Sequence, residues 1–243
     1  MKHYILLLLL FSAPIFSQKK TYKITYDYHI AVKDNGEISM NTYLKTYLTG
    51  DGKKSLYVED FIASQNNNNN PNTLNIKTES NPVFYKELLD NKVTYRDMVS
   101  LKFFNIQDEI ENFDWQILPE TKTILNYSCQ KASLFFRGRT IEVYFTKDIP
   151  FSDGPWKLSG LPGMILEYTI NNNAGMYNAI ATKVEITANI NEIINPYHEK
   201  QTITYEEFVT TYRKKYADTK AKISSYGGSG GMPKGYKELY IIE

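Results

Sequence analysis

The chain has 243 residues, with 28 lysines and arginines against 27 aspartates and glutamates, for a net charge of +1. That balance gives no electrostatic reason to expect nucleic acid or an anionic membrane as partner. The only cysteine, Cys129, excludes an internal disulfide and a cysteine metal cluster; it sits in strand-like sequence and reads as a buried apolar residue rather than a reactive thiol.

Residues 1–17 read as a signal peptide. Lys2 and His3 form a positive start, and an apolar run follows that is too short to span a bilayer as a helix. Cleavage after Ser17 would start the mature chain at Gln18. About 226 residues remain, enough for one ample core and one domain over 18–243. The expected location is periplasmic or extracellular, with no membrane span after cleavage.

The mature chain opens with period-two alternation. Tyr22, Ile24, Tyr26, Tyr28 and Ile30 face one way, and Thr21, Lys23, Thr25, Asp27 and His29 the other, as in a half-buried strand. Turn residues at 33–37 and 50–52 lead into two further strands, completing a β-meander. Residues 66–70 are a polar loop that buries nothing. Shorter strands are expected at 73–78, 83–88, 92–95 and 99–104, and a turn at Pro119. The clearest hairpin joins 127–136 to 139–147 at Arg137 and Gly138, and two more strands follow at 164–170 and 176–186. Twenty tyrosines suit such pleated, half-buried surfaces; the alternative is an aromatic surface for a sugar or peptide.

One helix is predicted over 205–223. Thr204 with Glu207 forms a capping box, and Tyr205, Phe208, Val209, Tyr212 and Tyr216 recur at helical spacing. Arg213, Lys214 and Lys215 read as a solvated basic face towards its end. Residues 227–231 are a glycine-rich loop, and 236–242 a tail or an edge strand.

Residues 148–168 concentrate special residues. Pro150, Pro155 and Pro162 lock their own φ, and Gly154, Gly160 and Gly163 permit turns or close backbone approach, all around Trp156. This is a shaped loop delivering the chain into a strand. Gly160, Leu161, Pro162, Gly163, Met164 and Ile165 resemble the signature hexapeptide of the GLPGLI family of secreted Bacteroidetes-type proteins, with Met164 for leucine. Trp115, the stretches 127–132 and 145–150, and the Gly154 to Lys157 tetrapeptide resemble it as well. The resemblance implies an exported envelope protein associated with an outer-membrane receptor system, and supplies no reaction.

Hydrolase signatures are missing. There is no Gly-x-Ser-x-Gly elbow, no His-Glu-x-x-His, no paired-cysteine motif and no phosphate loop. Beyond His3, the histidines are His29 and His198, neither with a partner visible in sequence. No cofactor or metal is expected. Three readings stay open. The loop is a structural corner; or a ligand or partner site using Trp156, Asp153, Pro162, Gly163 and Glu167; or a hydrolytic site on Asp148, Asp153 and Glu167, whose carboxylates would have to meet across a cleft. The expected fold is mainly β, a curved antiparallel sheet or half-barrel with one C-terminal helix, similar to periplasmic lipoprotein-carrier domains. The expected function is a non-catalytic envelope binding or accessory protein for an apolar or peptide ligand. A carboxylate hydrolase and a purely structural protein are the alternatives.

Overall fold

The computed structural model describes residues 20–34, 37–67, 80–109, 113–172, 175–187, 192–228, 232, 237 and 238. The expected leader at 1–17 and the expected strand at 73–78 lie outside them. The strands are β1 (Thr21–Asp34), β2 (Glu37–Gly50), β3 (Lys54–Glu59), β4 (Val83–Glu87), β5 (Lys92–Val99), β6 (Lys102–Glu109), β7 (Gln116–Ile124), β8 (Tyr127–Phe136), β9 (Arg139–Thr146), β10 (Met164–Asn172), β11 (Gly175–Thr187) and β12 (Thr202–Thr204). They form one sheet in the order β12-β6-β5-β4-β3-β2-β1-β11-β10-β9-β8-β7. Every pairing is antiparallel except β12 on β6.

The fold is the mainly β, curved open sheet with a C-terminal helix that the sequence pattern requires. Long β1 sits mid-sheet between β2 and β11. Its alternation is realised: Tyr22, Ile24, Tyr26 and Tyr28 are buried on the inner face, and the intervening residues face out. Register shifts at Thr25/Tyr26, Val32/Lys33 and Ile165/Glu167 add twist and bend the strands around this face. A second, smaller cluster of Tyr85, Ile193 and Tyr197 packs on the outer face.

Helix α2 (Tyr205–Ser225) starts at the expected capping box. The Thr204 hydroxyl accepts from the Glu207 N–H, and the Glu207 carboxylate accepts from the Thr204 N–H. Phe208 and Tyr212 are its buried residues, and Phe208 meets Phe104 of β6 edge-to-face at 6.3 Å.

Four local readings are corrected. Val99 ends β5 rather than opening a strand, and β6 starts at Lys102 after a turn at Ser100 and Leu101. Pro119 lies inside β7, at the sheet edge and at a register shift, where a missing N–H costs no ladder bond. A short helix α1 (Phe61–Asn67) absorbs Asn66 and Asn67 from the expected polar loop; Asp60 caps it by accepting from the Ala63 N–H at 3.1 Å. α2 continues to Ser225, so Arg213, Lys214 and Lys215 stand mid-helix, and Lys222 is the base in its last turn.

Candidate functional site

The 148–163 loop lies on the inner face of the sheet, and its backbone is zipped to the start of β10. Met164 N–H donates to Ile149 O at 3.1 Å, and Ile165 N–H to Asp153 O at 2.9 Å. Trp115 braces it from outside by donating its indole N–H to Ser159 O at 2.8 Å. Gly163, at φ 154°, is obligatory: a Cβ there would meet Thr146 O at 2.0 Å. Pro162 beside it is exposed.

Trp156 is fully buried although its φ is 57°. Its indole N–H donates to Glu238 Oε1 at 2.6 Å, and its ring meets Phe136. Asp153 is buried too. Its Oδ2 accepts from the Tyr22 hydroxyl at 2.5 Å, and its Oδ1 from Lys86 Nζ and from the Gly154 N–H. Burial pushes the Lys86 ammonium below its ordinary pKa, with Asp153 acting in the other direction.

A second set of buried charges adjoins the first. Lys157 pairs with Asp108 at 2.9 Å and with Glu238 at 2.6 Å, and its ammonium lies 3.8 Å from the Tyr95 ring centre. Arg137 clamps the same Asp108 through two bonds of 2.9 and 2.8 Å. Burial works to raise the Asp108 pKa, but Lys157 and Arg137 outweigh it and hold the carboxyl below the ordinary value. Glu59 pairs with Lys237; here burial prevails over that partner, and the Glu59 pKa is raised. Lys237 and Glu238 thus lie against the inner face.

The residues singled out from sequence do not meet as a site. Asp148 is exposed, Asp153 is sealed inside, and Glu167 lies half-buried with Lys122 at 2.5 Å. Glu167 pairs in register with Tyr144 and Ile180, on the opposite face from Asp153. His29 bonds Asn41 and stacks on Tyr43, and His198 neighbours Glu199 on the surface. Cys129 is buried, and burial pushes its thiol up to about 11. Among the described residues no group of acidic, His and Cys side chains could hold a metal. A cavity of about 30 Å³ between Lys86, Asn91, Phe113, Lys157 and Gly160 has room for about two waters.

Lys86, Asp108, Lys157, Glu59, Lys237 and Glu238 were missed from sequence. One signal was readable: Lys86 follows Phe84 by two residues in β4, and Asp108 follows Ile106 by two in β6, so each charge occupies a core-facing position of its strand. Paired as they are, these groups hold the loop and residues Lys237 and Glu238 together on the inner face.

Fold and site together define a curved-sheet module whose inner face is filled by its own loop and C-terminal residues. A family model described as "N-glycanase peptide, N-terminal domain" matches residues 31–213, and the chain belongs to that family. Two solved structures of PNGF-II, in C2 and P21 space groups, are each 19% identical over 80% of this chain, with TM-scores of 0.49 and 0.53. The chain spans only 32% and 34% of those proteins, about a third of their length. A putative outer membrane lipoprotein-sorting protein domain from Vibrio parahaemolyticus is 8% identical, over 71% of this chain and 87% of that one, with a TM-score of 0.32. No curated protein matches.

Proposed function

We propose that the chain is a non-catalytic, exported binding or accessory module of the cell envelope. The observation that carries this is the state of Asp153. A general acid or base must face its substrate, and this carboxylate spends both oxygens on Tyr22, Lys86 and the Gly154 N–H inside the protein. The family is named for an N-terminal domain, and the chain matches about a third of PNGF-II. On this reading any N-glycanase chemistry belongs to parts of PNGF-II that this chain does not share.

The filled inner face moves the binding surface to the outside of the sheet and its rim. The partner on this reading is an envelope protein, such as an outer-membrane receptor system, rather than an apolar ligand enclosed by the sheet. The hexapeptide at 160–165 supports grouping the chain with GLPGLI proteins, and the apolar run at 5–11 supports export. No helix among the described residues is long and apolar enough to cross a membrane.

The test pairs two measurements on native protein. Mass spectrometry of co-purifying material should return an envelope protein at stoichiometric level, and incubation with a denatured N-glycoprotein should release no glycan. Glycan release by the pure chain would overturn the reading, as would a native preparation with no partner.

A further inference from the structure

The end of the β5–β6 hairpin runs past its neighbouring strands, with α2 beside it across a cleft that Leu101, Lys102, Thr211 and Lys215 line. β4 pairs with β5 only as far as Tyr95, and β12 pairs with β6 only over residues 105–107, so residues 96–104 extend beyond both. The turn holds Ser100 and Leu101 at φ 48° and 65°. Two positive φ values in a two-residue hairpin turn are the geometry that selects Asn and Gly. Leucine is a poor residue there, because its Cβ crowds the backbone. Leu101 nonetheless occupies the position and is 93% exposed. Met98 and Phe103, opposite each other in the ladder, are 48% and 55% exposed. Three large apolar side chains therefore share one tip, and none of them is part of the core clusters.

Exposed cations surround the tip. The Arg96 guanidinium lies 4.3 Å from the Phe103 ring centre, and the Lys102 ammonium 5.1 Å from that of Phe104. Lys215 of α2 lines the cleft between the helix and the turn. Within residues 96–104 the one carboxylate is Asp97, half-buried, which accepts from the Met98 N–H at 2.7 Å. The near-zero net charge of the chain hides this local excess of positive charge.

We propose that this tip is a peripheral membrane-docking element for an anionic bilayer. Met98, Leu101 and Phe103 enter the boundary between headgroups and hydrocarbon, and Arg96, Lys102 and Lys215 sit against the anionic headgroups. Met98, Leu101 and Phe103 stand exposed together; a fluid surface accepts such a wedge, and Arg96, Lys102 and Lys215 match the sign of the headgroups. A leucine kept where glycine would relieve the backbone is accounted for by a contact outside the chain. The inference does not depend on the envelope reading above.

Co-sedimentation of the full chain with vesicles tests it. Binding should be strong on phosphatidylglycerol/phosphatidylcholine vesicles, about tenfold weaker on pure phosphatidylcholine, and reduced by salt. Leu101→Gly should lower vesicle binding about tenfold, while leaving the melting temperature unchanged or higher. Replacing Arg96, Lys102 and Lys215 together by Gln should bring binding to anionic vesicles down to the level on phosphatidylcholine. Wild type that ignores anionic vesicles overturns the proposal, as does a Leu101→Gly protein that binds like wild type. Leu101-dependent dimers, or capture of a protein without vesicle binding, would place the tip on a protein and overturn the bilayer assignment.

Discussion

Trp156 and Leu101 are both large side chains at positive φ, at 57° and 65°. Trp156 is fully enclosed and hydrogen-bonded to Glu238, whereas Leu101 stands almost wholly in solvent. The backbone cost of about 1–2 kcal/mol is similar at the two positions. At Trp156 it is offset several times over by burial of the indole. Leu101, 93% exposed, gains no such burial. Strain balanced by packing marks a residue that holds the fold; strain that burial does not offset, as at Leu101, is what the proposed bilayer contact would account for.

The largest effect should come from breaking the packed side of this comparison. Trp156→Ala should cost about 3–5 kcal/mol in denaturant melts; a variant that melts like wild type would mean that the loop does not rest on this side chain. Gly163→Ala should come next, at about 3 kcal/mol, because the new Cβ collides with the Thr146 carbonyl and the φ disfavours it. If thermal melts of that variant match wild type, the fixed path of the loop is wrong.

The buried charges sharpen the comparison through pH. Asp108 has its folded pKa below its unfolded value. Its pairing therefore contributes stability above the unfolded pKa, about 3.9, and the contribution is lost as pH falls through the folded pKa. Glu59 has the opposite sign: its pKa is raised, so its contribution is full at low pH and lost as pH rises through the folded value. The urea midpoints of wild type and Asp108→Asn should be well separated near neutrality and converge below about pH 4. A gap that stays constant with pH would show that Asp108 acts by packing alone. The smallest effects belong to the exposed side. Leu101→Gly should change stability by less than about 1 kcal/mol, with a gain as the expected sign, and Lys214→Ala by less than about 0.5 kcal/mol, both read from calorimetric melts.

Sequence alone was enough where neighbours along the chain carry the information. The alternation from Tyr22 to Ile30, the 127–147 hairpin and the capped helix at Thr204 are local patterns, each decided by residues two to four positions apart. So was the special character of the 148–163 loop, whose prolines and glycines restrict the backbone wherever they stand. The partners of the charges were decided only in three dimensions. Tyr22 meets Asp153 across 131 positions, Lys157 meets Asp108 across 49, and Lys237 meets Glu59 across 178. A carboxylate's spacing in sequence does not say whether it will face water, a substrate or an ammonium, because that depends on which strands curve around it. Asp153 and Glu167 look alike as acids flanking one loop. The sheet puts one inside against Lys86 and the other outside against Lys122.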